Sequence, residues 1–128
     1  MKRMITTVAC FAVLAAAPLY AADQTTGRDL LHECTSFALL YSGKNSTPTA
    51  EDIQAASQCT SFLDGVQQMH NALAATGKPL YCLSPDVTLL EMDLVVFTYL
   101  AGHQQELNDA GAILAIKAWK EKWPCPKK

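Results

Sequence analysis

From residue 27 onward, apolar residues recur at three- and four-residue steps in long stretches separated by glycine-, serine- and proline-rich loops, the pattern of a string of helices. Leu30, Leu31, Cys34, Phe37, Ala38 and Tyr41 make the first stripe. Thr26-Gly27-Arg28-Asp29 resembles a capping box that opens it and Ser42-Gly43 closes it, which predicts a helix over 27–41. After a polar loop ending near Pro48, a second helix begins at Thr49, with Glu51 and Asp52 in its first turn, where the helix dipole favours negative charge. It runs to Thr76, with Gly77 as C′ residue and Pro79 preventing continuation. Cys59, Phe62, Val66, Met69 and Leu73 share one face of it. Gly65 stands mid-helix, where glycine costs ~1 kcal/mol relative to alanine, so another helix is expected to approach closely there. His70 falls on the polar flank and receives no role.

Thr88-Leu89-Leu90-Glu91 is a further capping box and opens a third helix. Leu89, Leu90, Met92, Leu94, Val95, Val96, Phe97, Tyr99 and Leu100 are too many apolar residues for one stripe. This helix is therefore either central or partly covered by a subunit interface. The pair Val95-Val96 also suits a strand, but the length of the span and Met92, Leu94 and Leu100 favour helix. The preceding connection holds Pro79, Cys82 and Pro85 among apolar residues and should be pinned to the core. Asn108 is a good N-cap for a fourth helix, with Asp109 behind it. Its inward face is Ala112, Ile113, Ile116, Trp119 and Trp123; Lys117, Lys120 and Lys122 gather toward its end, and Pro124 stops it.

The start of the chain alters the picture of where these helices reside. Lys2 and Arg3 precede an uncharged run from Met4 to Leu19, and small residues follow before Asp23, the layout of a secretory signal peptide over 1–22. Cleavage is expected after Ala21 or Ala22 and removes Cys10. The run is shorter than the ~20 apolar residues a membrane span needs, so no membrane anchor is expected in the mature domain, 23–128. From Asp23 on, Arg28 and seven lysines face twelve acidic residues, a net charge of −4. That balance is not the footprint of nucleic-acid binding.

Cys34, Cys59, Cys82 and Cys125 remain, an even number in a chain sent to an oxidising compartment. Short links imply antiparallel neighbours. Cys34 and Cys59 then lie ~10 and ~13 Å from the turn joining the first two helices, at 1.5 Å per residue, and can meet. Cys82 and Cys125 follow the ends of the second and fourth helices and share the other pole. The expected fold is all-α, a four-helix antiparallel bundle-like domain stapled by disulfides Cys34–Cys59 and Cys82–Cys125. The competing assignment, a metal site of His32, Cys34, Cys59 and His70, lacks the short ligand spacings of a zinc motif.

No nucleophile elbow, phosphate loop, dinucleotide fingerprint or metalloprotease motif is present. Asp64, Glu91 and Asp93 are read as solvated helix residues or caps rather than as an acid/base pair. No catalytic residue, cofactor or metal is expected.

The order of several motifs goes further. Cys59-x-x-Phe62-Leu63-x-Gly65-Val66, Tyr81-Cys82-Leu83 with Val87-Thr88, Tyr99-Leu100, and Lys117-Ala118-Trp119 leading to Trp123-Pro124-Cys125 together resemble the Rap/Tai family of periplasmic type VI secretion immunity proteins. Ser84 stands where that family commonly has proline, and Gln104 follows His103 where the family often has His-Pro. The resemblance implies a small, non-catalytic, all-α periplasmic protein, often a homodimer, that binds a peptidoglycan-cleaving amidase effector and occludes its active-site cleft. It places the cleft-facing element at His103, Gln104, Gln105, Glu106, Leu107 and Asn108. The alternative is a periplasmic acid-stress chaperone or a housekeeping binding protein of the same fold.

Overall fold

Threonines open three of the helices, and the capping chemistry explains where each begins. In the computed structural model, which describes residues 24–127, the chain forms α1 (Gly27–Tyr41), α2 (Ala50–Ala75), α3 (Leu89–Gly102), a 3-10 turn at Gln104–Glu106 and α4 (Gly111–Lys122). At α1 the Thr26 hydroxyl accepts from the Asp29 N–H, and the Asp29 carboxylate accepts from the Thr26 N–H at 3.0 Å. Thr49 and Asp52 make the same reciprocal pair at α2, with a further donor to Asp52 from the Asn45 amide at 3.1 Å. Thr88 accepts from the Glu91 N–H at 3.2 Å. The return bond that would complete the predicted box at α3 is not formed. Gly43 and Gly77, at φ of 67° and 78°, end the first two helices in the left-handed conformation that glycine tolerates.

α4 begins differently from expectation. Its N-cap is Ala110, without a side-chain cap, and Asn108 instead accepts from the Arg28 guanidinium at 3.4 Å. The reason is tertiary. Gly111 N–H donates to the Thr25 carbonyl at 2.8 Å, while Gly27 and Arg28 N–H donate to the Asp109 and Leu107 carbonyls, each at 2.9 Å. The starts of α1 and α4 therefore satisfy each other's free backbone groups and need no side chain from Asn108. The lacing requires Gly27, because a Cβ there would lie 3.1 Å from the Leu107 Cα and against the Leu114 side chain.

The core gathers Leu30 and Cys34 of α1, Cys59, Leu63 and Val66 of α2, Met92, Val96 and Leu100 of α3, and Leu114, Ala115 and Trp119 of α4. The Trp119 indole N–H donates to the Met92 carbonyl at 3.0 Å, fixing α4 against the start of α3. Both expected disulfides are formed, Cys34–Cys59 with Cα atoms 5.0 Å apart and Cys82–Cys125 with Cα atoms 4.9 Å apart. The second is flanked by a bond from Cys82 N–H to the Trp123 carbonyl at 2.9 Å. Each closes a long loop of the unfolded chain and contributes roughly 2 to 4 kcal/mol.

Three expectations about faces are corrected. On α2, Met69 is 55% exposed while His70 is buried, because the connection after α2 folds back and stacks Tyr81 on the His70 ring at 3.7 Å. The Leu80 N–H donates to His70 Nδ1 at 3.3 Å, so this histidine is a core residue with a fixed acceptor. On α4, Ile113 is 51% exposed; Trp119 is buried and Ala112, Ile116 and Trp123 pack against the core as expected, while Leu114, Ala115 and Ala118 are the further buried positions. At Gly65 no atom of the described residues lies within 4 Å of where a Cβ would stand, so no described element uses the notch. Residues 1–22, the expected signal peptide, lie outside the described residues. No helix among the described residues is long and apolar enough to cross a membrane.

Candidate partner-binding face

α3 carries more apolar surface than its neighbours cover. Met92, Val96 and Leu100 point into the core, but Leu90, Leu94, Val95 and Tyr99 line an open groove of about 660 Å³, with Ala118, Glu121 and Lys122 of α4 opposite and Tyr41 at its edge. Tyr41 itself is 59% exposed. Of the two expectations for this helix, complete coverage is not what the described residues provide.

The groove ends at His103, the first of the six residues singled out in the turn between α3 and α4. His103 is half-buried: its ring stacks on Tyr99 with centroids 3.8 Å apart, and its Nδ1 lies 2.7 Å from the Tyr99 carbonyl. Gln104, Gln105 and Glu106 follow as one 3-10 turn held by the Glu106 N–H to the His103 carbonyl at 3.0 Å. Gln104 and Gln105 are exposed, as is Asn108. Leu107 is not part of the outward surface; it is 1% exposed and plugs the core beside Leu114 and Gly27. The turn is thus a short polar protrusion with an apolar root.

Charge fixes its outer side. Lys117 reaches from α4 to donate to the Glu106 carboxylate at 2.6 Å and lies 3.7 Å from Asp109. The Tyr99 hydroxyl approaches the same carboxylate at 3.4 Å. The lysine's hydrogen bond holds the Glu106 carboxyl below its usual range, and Glu106 in turn raises Lys117. Burial, then the neighbouring Glu106, raises the Tyr99 phenol. Sequence periodicity assigned Lys117 to the cluster near the helix end; only the packing of α4 beside the turn gives it a partner eleven residues back.

The cysteines expected to pair are bonded to each other and so are not metal ligands. Among the three carboxylates read as solvated, Glu91 and Asp64 are exposed, but Asp93 is not: it retains 8% exposure on α3. Burial, with Asp64 nearby, pushes its carboxyl up to about 7. The apolar crowding of α3 was the available signal, because a lone acid amid such neighbours has little surface on which to escape burial.

The match to known families follows this architecture. Residues 26–125, from the Thr26 cap of α1 to the last cysteine of the second disulfide, match the Rap1a immunity proteins. The chain belongs to this family. Comparisons with curated proteins and with solved structures gave no match. Family membership implies that the chain binds a partner effector protein, and immunity proteins are generally non-enzymatic.

Proposed function

We propose that this member of the Rap1a immunity family is a periplasmic protein of a type VI secretion system. In this role it binds a cell-wall amidase effector and blocks its active-site cleft with the α3–α4 turn. The observation that carries the proposal is the construction of the turn. Gln104, Gln105 and Asn108 project to solvent, while Leu107, the Tyr99–His103 stack and the Glu106–Lys117 pair hold the backbone in one shape. A rigid polar protrusion loses little conformational entropy on entering a cleft, which is how a short contact reaches useful affinity. The uncovered α3 groove beside it extends the same face and offers apolar area for the effector or for a second copy in a homodimer. The mature domain would reach the periplasm through the signal peptide over 1–22 and perform no reaction there.

Replacing Gln104, Gln105 and Glu106 together by alanine tests the site. Loss of the exposed Glu106–Lys117 pair costs at most about 1 kcal/mol, so the melting temperature should stay nearly unchanged. Binding to the amidase should weaken at least tenfold. Unchanged affinity would reject the turn as the contact.

A further inference from the structure

A second recess lies away from the turn, where the middle of α2, the start of α3 and Trp119 of α4 meet. It has a volume of about 350 Å³. Its apolar wall is formed by the buried Leu63, Met92 and Trp119, with Leu89 at 58% exposure, and polar residues line the rest. Among the described residues that line it, the ionisable groups are Asp93 of α3 and Asp64 of α2, both acids. Asp93 is more than nine-tenths buried and lines the recess, yet its carboxylate accepts no hydrogen bond from any described residue, although Thr60, Ser61 and Gln67 also border the space. Gln67 donates instead to the Met92 sulfur at 3.4 Å.

With no described donor, the Asp93 carboxylate has only the water of the open recess to hydrogen-bond with; burial pushes it toward its neutral form, and a second acid beside it adds repulsion. A cationic occupant that carries its own donors would relieve both the partial burial and the repulsion between the two acids. We infer that this recess receives an arginine side chain of the partner protein. The guanidinium would sit between Asp93 and Asp64, and its methylene stem would lie along Leu89, Met92 and Trp119. Arginine fits better than a metal ion: no group of three or more His, Cys, Asp or Glu residues is placed to hold a cation among the described residues. It fits better than lysine because five fixed donors on a weakly hydrated plane can serve two carboxylates and the nearby hydroxyls together. The inference rests on the family's engagement of a partner protein, not on the turn being the element that enters the cleft.

The test titrates N-acetyl-arginine methylamide into the disulfide-bonded protein and follows backbone and indole N–H resonances. The matching citrulline derivative is the uncharged control, and calcium chloride at equal ionic strength is the metal control. Saturable shifts are expected at Thr60, Gln67, Leu89 and the Trp119 indole. Citrulline, Asp93→Asn and Asp64→Asn should each weaken them at least tenfold, with the variants' spectral dispersion confirming the fold. Lowering pH from 8 to 6 should weaken binding as well, since Asp93 takes up a proton and Trp119, the lining residue from α4, brings no compensating charge. Equal shifts with citrulline or calcium, tighter binding of N-acetyl-lysine methylamide, indifference to Asp93→Asn, or shifts confined elsewhere would overturn the inference. The triple alanine variant of the turn should bind the probe normally, so failure of the recess and failure of the cleft proposal are separable.

Discussion

Asp93→Asn should make the protein more stable at neutral and alkaline pH. The carboxyl stands at 3.8 in the open chain and about 7 in the fold, chiefly because burial disfavours its charge. Between those values the folded protein binds more protons than the unfolded chain, so stability falls as pH rises, and the loss is complete above pH 7. A shift of that size corresponds to about 4 kcal/mol at ~1.4 kcal/mol per unit. Because the recess opens to water, which screens part of the penalty, the expected gain is about 2 kcal/mol at pH 8. Asparagine keeps the shape and removes the charge. Urea unfolding of both proteins should show the gap growing from a few tenths of a kcal/mol near pH 4 to its full value by pH 8, at unchanged m-value. In an Asp64→Asn background the gap should shrink, because part of the repulsion is already gone. A gap independent of pH, or a variant less stable than the parent at pH 8, would refute the assignment of Asp93 as a buried, unfavourably ionised group. A cost of this kind persists most readily where function uses the strained residue.

Leu107→Ala should lower stability by roughly 2 to 5 kcal/mol, the range for emptying a buried leucine site, and should loosen the α3–α4 turn as judged by amide exchange at Gln104 to Asn108. Changing both Cys82 and Cys125 to serine should cost roughly 2 to 4 kcal/mol in urea unfolding, with peptide mapping still recovering the Cys34–Cys59 link. His70 is held below its ordinary value by burial, so its neutral form favours the fold. Stability present above about pH 6.5 should be lost as pH falls through the folded value, a slope that His70→Gln removes.

Where local chemistry and periodicity agree, the sequence was nearly sufficient. α1 matches its predicted span because a threonine cap, an acidic partner three residues on, one apolar stripe and a glycine all point to the same boundaries. The two disulfides followed from helix heights, since Cys34 and Cys59 sit at similar distances from one short loop. The misses share a different cause. Asn108 yielded the start of α4 to the Thr25 carbonyl just ahead of α1, and His70 went inside because Tyr81 returned to cover it. Both depend on segments far apart in sequence, which leave no periodic trace. Asp93 is the intermediate case: the excess of apolar residues on α3 was plain, but which polar residue it would engulf depended on the placement of α2 and Trp119.

The most direct test of the account is inhibition of a purified cell-wall amidase effector from the same bacterium, with hydrolysis of peptidoglycan stem peptides followed as the mature disulfide-bonded protein is added. The account predicts stoichiometric loss of hydrolysis, and its recovery when Gln104, Gln105 and Glu106 are replaced. Full hydrolysis in the presence of excess protein would contradict it.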